Sequence, residues 1–321
     1  MGEKKVKQNR LSTFLSYEWI IMIVCAVIAV VMLELVYSVA AVRLSVGQQF
    51  TYYYDQNVSS TSDSAFISII DKDATFSYDV LEVSGQQLSS DFNVLGARTS
   101  AHDVDVLITD DSVYETVADY EKKRSNLIID TYDIYSLEDK EGGIIYDAEN
   151  YLKQFVKGGG DHLNPSDLSE EKITARFNER MKKDNRYLHG EISAAQEIAR
   201  IKKLCEETAF FKKVLKYDEA HPEQSIFYSY TRYEQSYLSG KSEYKEKYEN
   251  QTAARYGLNA SNFSGGKYKA EDYFRFINPE TQGNVIILAF DLYEFESDLQ
   301  FETISFLNGI IRNFTDLSEK I

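Results

Sequence analysis

Arg98, Thr99 and Ser100 stand side by side in the loop Gly96-Ala97-Arg98-Thr99-Ser100, and Asp110 closes an apolar run a short way downstream. A guanidinium can hold a carboxylate through two parallel hydrogen bonds, and two adjacent hydroxyls add neutral ones. Loops at strand ends in α/β layers carry binding residues, so Arg98, Thr99, Ser100 and Asp110 are the expected rim of a ligand site. The plainer reading of the same loop is an exposed arginine in water. Tyr228 and Tyr230, in the run IFYSYTRY, join the candidates as rings on which a ligand stacks, although sheet packing explains them equally well.

Other chemistries find less support. His102, His162, His189 and His221 are scattered, with no HExxH and no clustered-ligand spacing, so no zinc site is expected. No Gly-x-Ser-x-Gly elbow occurs, Cys205 lies among apolar helical positions, and the carboxylates are too many for one acid–base pair to stand out. Asp103, Asp105, Asp110 and Asp111 are close in sequence. The first two precede or enter a strand, however, and the last two suit a helix N-terminus better than calcium. Gly158-Gly159-Gly160 lacks the Lys-Ser/Thr end of a phosphate-binding loop and reads as a linker. The expectation is a protein that is not an enzyme and holds neither metal nor cofactor.

The elements that must position these residues follow from periodicity. Strands are expected over 44–54, 65–70, 74–83, 92–96 and 104–109; the last, VDVLIT, has the unbroken apolar character of a strand covered on both faces. Ser112 and Glu115 then have capping-box spacing, with Val113, Val117 and Tyr120 on one helical face. Further strands are expected over 126–134 and 143–146, with a short helix after Glu149. Residues 166–187 and 192–217 read as helices, the second with Leu204, Thr208, Phe211 and Leu215 on one face. Strand character returns over 226–233, and 237–256 reads as a charged helix. NVIILAFDL, 284–292, is the strongest buried-strand candidate. It leads to a helix from Ser297, capped by Ser297 and Gln300, with Ile304, Leu307, Ile311 and Phe314 as its stripe. Alternating strands and helices give an α/β (or α+β) lobe carrying a helical insertion hinged at the glycines. Its expected parts are 43–156, then the insertion and second region 157–276, then the closing strand and helix 277–321.

Ahead of this lobe lies an apolar run from Trp19 to Val42, interrupted by the charge of Glu34 and, beyond it, by Tyr37 and Ser38. As a helix it would be about 36 Å long, enough to cross a hydrocarbon core of roughly 30 Å. Lys4, Lys5, Lys7 and Arg10 precede it and only Arg43 follows closely, which places 1–18 in the cytoplasm and the lobe outside. The competing reading is a cleaved signal peptide, since Ser38-Val39-Ala40 has small residues at the spacing a signal peptidase accepts. The chain has 35 Lys and Arg against 51 Asp and Glu. Without the four basic and three acidic residues before Arg43, 31 face 48, a net charge of about −17. Nucleic acid is disfavoured as a partner, because no basic stripe is present to neutralise phosphates. Cys205 is the one cysteine outside the apolar run, so an intramolecular disulfide in the lobe is excluded and packing must stabilise it.

Two resemblances arise from this order. Asp103 to Asp110 resembles the segment of extracytoplasmic solute-binding proteins in which a buried strand ends at the cleft between lobes, and 284–314 is similar to their late strand and helix. Tyr17-Glu18-Trp19 before the run, with Val46-Gly47-Gln48-Gln49-Phe50 after it, looks like membrane-anchored proteins of Gram-positive bacteria. These resemblances imply a periplasmic-binding-protein-like ectodomain on the cell surface, acting as a ligand sensor or receptor for a small molecule. The alternative is a non-catalytic accessory or scaffold subunit with a membrane-protein partner.

Overall fold

The computed structural model describes residues 19–40, 48–55, 58–59, 69–70, 76–87, 98, 104–110, 134–159, 163–230, 254–281, 283–290 and 300–321. It divides into two units, Met1–Ser45 and Val46–Ile321.

The first unit contains helix α1, Trp19–Ala40, of 22 residues, about 33 Å in length. Glu34 is its one ionisable carboxylate. Side chains are described over 23–33, and all of them are exposed; Leu33 is 69% exposed. Among the residues whose side chains are described no helix is long and apolar enough to cross a membrane, and in α1 those residues run only from 23 to 33.

The second unit is mixed α/β. Its strands are β1 (Gln49–Tyr54), β2 (Val58–Ser59), β3 (Glu82–Gln87), β4 (Val106–Asp110), β5 (Phe227–Tyr230), β6 (Ala254–Asn259), β7 (Arg275–Phe276) and β8 (Val285–Ala289). Six of them form one sheet in the order β3-β1-β4-β8-β6-β5, and β2 pairs with β7 apart from it. β3, β1 and β4 run parallel, whereas β4-β8, β8-β6 and β6-β5 are antiparallel. At the β3 edge Gly85 lies opposite Tyr52, and a Cβ there would collide with the Tyr52 ring.

Strand alternation sends two sets of side chains to two faces. Phe50, Tyr52, Tyr54, Val106, Ile108, Val285, Ile287, Ala289 and Leu258 share a core with the helices α2 (Ile144–Lys153), α5 (Ala194–Ala220) and α6 (Gln300–Phe314). Tyr53, Leu107, Tyr256, Ile286 and Leu288 form a separate buried cluster with Val104, Ile134 and Phe290. β4 and β8 are therefore covered on both sides, as their unbroken apolar runs predict. The described residues also include α3 (Glu170–Met181), α4 (Asn185–Leu188) and α7 (Leu317–Lys320). The stripe expected on the last long helix is realised, with Ile304, Leu307, Ile311 and Phe314 all fully buried. α5 likewise buries Leu204, Thr208, Phe211 and Leu215, and its Leu204, Phe211 and Leu215 belong to the same core as the sheet.

Four local expectations differ from the structure. Ile69 and Ile70 are helical rather than extended, with Ile70 buried in the core; tertiary packing overrides the β preference of isoleucine there. The strand expected over 74–83 starts only at Glu82. Ser77 explains the delay: its carbonyl accepts from Val80 N at 3.2 Å and its hydroxyl from Asp79 N at 3.3 Å, closing a turn. Residues 144–146 are the first turn of α2 instead of a strand, because Ile144, Ile145, Ala148 and Leu152 repeat with helical spacing. Residues 254–256, expected to end a helix, open β6. The expected strand 92–96, the helix capped by Ser112 and the Ser297 cap lie outside the described residues.

Candidate functional site

Of the four residues read as a ligand rim and the two tyrosines read as stacking rings, Arg98, Asp110, Tyr228 and Tyr230 are among the described residues. Arg98 is an exposed helical residue, while Thr99 and Ser100 lie outside the described residues. Asp110 is buried at the end of β4, opposite Val285. Tyr228 is half-buried on β5, opposite Gly257, and Tyr230 ends that strand opposite Ala254. β8 and β6 lie between β4 and β5, so Asp110 and Tyr228 are separated by three strand spacings, about 14 Å. They also belong to opposite faces. Asp110 has the parity of Val106 and Ile108, on the side of α2, α5 and α6, whereas Tyr228 packs on the Leu107–Leu288 cluster.

Among the described residues, Asp105, His221 and Cys205 have structural roles. Asp105 accepts a hydrogen bond from Thr51 N at 2.6 Å, which ties β4 to β1. His221 ends α5 with Nδ1 3.0 Å from Tyr217 O and its ring stacked on Tyr217. Cys205 is buried, and burial pushes its thiol up to about 11, so it is a neutral core group at pH 7. Among the described residues no three His, Cys, Asp or Glu side chains come together as metal ligands.

Ionisable groups converge elsewhere, where α3, α4, α5 and α6 meet residues 77–79. α5 starts at a capping box of Ser193 and Gln196 and places Glu197 and Arg200 one turn apart, both buried. Arg200 Nε lies 2.9 Å from Glu197 Oε2 and its Nη2 3.2 Å from Oε1. Arg200 Nη1 is 3.8 Å from Glu302 Oε1, in the first turn of α6. Arg180, at the end of α3, reaches Asp79 Oδ2 at 3.2 Å and Glu197 Oε1 at 3.5 Å. Arg186, on α4, lies 3.4 Å from Asp79 Oδ1 and 2.9 Å from Asp184 Oδ2. The Tyr78 hydroxyl donates to Glu197 Oε2 at 2.8 Å.

Burial and charge pull these groups apart in acidity. For Asp79 and Glu302 burial dominates, and both carboxyls sit above their ordinary range despite the nearby arginines. Burial also pushes Glu197 up, but the Arg200 charge and hydrogen bond, with Arg180 and the Tyr78 hydroxyl, outweigh it and hold Glu197 below its usual value. Burial raises the Tyr78 phenol, and the charges of Asp79 and Glu197 add to it, so it remains a neutral donor. Arg200 stays charged: burial opposes the charge, and Glu197 more than offsets it. Three guanidiniums thus face four carboxylates, each held in place by another group. This arrangement can join elements and store protons, but no member of it is an activated nucleophile.

The cluster has one signal in the sequence. Extended towards the N-terminus, the α5 stripe of Leu204 and Ile201 falls on Arg200 and Glu197, an oppositely charged pair on the core face of a helix. What cannot be read there is the convergence of Asp79, Arg180, Arg186 and Glu302 from distant parts of the chain.

Two grooves adjoin elsewhere and share Ser264. One, of about 480 Å³, runs past Phe263, Gly265, Gly266, Tyr268 and Lys269. The other, of about 350 Å³, runs between Ser225, Asn262, Asp316 and Lys320. Comparison with models of protein families, with curated proteins and with solved structures gives no match.

Proposed function

We propose that the chain is a single-pass membrane protein, its α1 retained as the anchor, whose extracytoplasmic α/β domain is a non-catalytic accessory or scaffold module for another membrane protein. The observation that carries the anchor is the exposure of α1. Ile23, Val27, Ile28, Val30 and Leu33 point in different directions around the helix and are each more than half exposed. A helix apolar all round needs a non-aqueous neighbour, and basic residues before it favour a cytoplasmic N-terminus. Support for a scaffold over an enzyme or a solute carrier comes from the domain's charges. Its concentrated ionisable groups are engaged with one another inside the fold, and Asp110 and Tyr228 lie on opposite faces of the sheet.

The anchor is tested by alkaline carbonate washing of membranes and by the intact mass of the full chain. The protein is expected in the pellet with residues 19–40 present; release, or a mass lacking them, overturns the anchor. A ligand-sensor reading is favoured by the two adjoining grooves at Ser264. Thermal melting of the detergent-solubilised chain with sugars, amino acids and peptides separates the two, because a ligand stabilises by RT ln(1 + [L]/Kd). No shift is expected with any class, and a saturable shift replaces the scaffold with the sensor.

A further inference from the structure

β3 (Glu82–Gln87) ends the six-stranded sheet, and among the described residues it pairs only with β1. An edge strand offers backbone N–H and C=O groups to any passing strand, so natural sheets blunt their edges with bulges, prolines, lysines or very short strands. The other end of this sheet is blunted in that way: β5 has four residues, and its register with β6 shifts between Tyr228 and Ser229. β3 has none of these devices. Its sequence, EVSGQQ, holds no proline and no lysine, and all six residues pair with β1 in one unbroken register. Glu82, Gln86 and Gln87 are exposed, and Val83, Ser84 and Gly85 are half-buried.

We propose that β3 is the contact between two copies of this chain: it pairs antiparallel with the β3 of a second copy about a two-fold axis at Ser84, joining the two sheets into one. A second copy is the occupant because the strand is complementary to itself. A two-fold axis that joins antiparallel edges stands perpendicular to the sheet and keeps each face on its own side. Residues directly opposite one another therefore share parity along the strand, and the axis passes through a residue.

With the axis at Ser84, Glu82 lies opposite Gln86 of the second copy and Val83 lies opposite its Gly85. The Tyr53 hydroxyl donates to Gln86 Oε1 at 3.1 Å, which fixes that oxygen as the acceptor and leaves the amide nitrogen to donate to a carboxylate. The pair forms twice by symmetry, and no like charges meet. On the other face the Tyr52 ring occupies the place of a side chain at Gly85, so Val83 of the second copy meets no Cβ there. An axis at Gly85 would instead set Glu82 opposite Leu88, which has no donor for its carboxylate.

Sedimentation of the full chain in detergent micelles, over a range of concentrations, tests the contact. The wild type is expected to show a monomer–dimer equilibrium. Gln86→Glu places like charges opposite each other at both symmetric pairs and should raise the dimer Kd about tenfold. Adding Glu82→Gln exchanges the two partners, restores the wild-type net charge and should bring the Kd back towards the wild-type value. In a Cys25→Ala background, with Cys205 buried, Ser84→Cys should crosslink on oxidation, because opposite Cα atoms of antiparallel strands lie about 4.5–5.5 Å apart. Gln87→Cys should not, since its mate is displaced by six residues, about 20 Å.

A wild type that stays monomeric overturns the proposal and leaves the edge to a strand of another protein. A dimer whose Kd ignores Gln86→Glu, as one held by α1 would, overturns it too. So does a double variant no tighter than the single one, or a Ser84→Cys crosslink no stronger than that of Gln87→Cys. Should Gln86→Glu fail to fold, the two cysteine variants decide.

Discussion

α1 is apolar throughout residues 23–33 while α6 mixes an apolar stripe with polar residues, yet α1 is exposed wherever its side chains are described and α6 is buried from Glu302 to Ile311. Their difference lies in where polar groups stand. α6 carries Glu302, Ser305, Asn308 and Arg312 along one line facing α5. Asn308 donates to Glu207 O at 2.9 Å and to Glu207 Oε2 at 2.7 Å, and Arg312 reaches Glu207 Oε1 at 2.9 Å. From 23 to 33, α1 carries no such line. A protein interior can supply partners for a polar seam, whereas hydrocarbon cannot. The two helices are thus suited to different solvents.

The largest test of this contrast is Phe306→Ala, which empties a site packed against Phe50 at 4.9 Å and Tyr52 at 5.8 Å. A loss of about 3–5 kcal/mol is expected in denaturant unfolding of the domain. Ile28→Lys acts on the other helix: an insertion assay should show a cost of about 2.5–3.5 kcal/mol, with the melting of the domain unchanged. A fall in domain stability would show that α1 belongs to the fold. Asn308→Ala removes the donor to buried Glu207, and about 1–3 kcal/mol of stability should be lost. Smallest of all, Val27→Ala in α1 should move domain stability by no more than about 0.5 kcal/mol.

The same contrast shows what is legible in the sequence. β4, β8 and the α6 stripe can be read directly, because burial on both faces forces unbroken apolar runs and burial on one helical face forces a 3.6-residue repeat. Residues 76–83 mislead, since Phe76-Ser77-Tyr78-Asp79-Val80 alternates as a strand does, and only the Ser77 turn and its distant ionic partners hold it off the sheet. The placing of Asp110 relative to Tyr228 is hidden for a related reason. Local pattern marks Asp110 and Tyr228 as strand-end residues but carries no information on the order β4-β8-β6-β5, which places them apart and on opposite faces. Ion pairs between remote segments are tertiary facts, and the charges of Arg180 and Arg186 look like ordinary solvated helix residues until Asp79 is placed beside them.

The pairing of β4 with β8 has a consequence in time. Leu107 meets Leu288, so the centre of the sheet joins two segments made 181 residues apart (288 − 107). At roughly 5–20 residues per second, β4 waits on the order of 10 s for its neighbour. During that interval a strand built to be covered on both faces is uncovered, and late pairings of this kind are slow to form and prone to association. Folding of this domain therefore depends on keeping a nascent, sticky segment apart from its neighbours until β8 arrives, a task suited to chaperones.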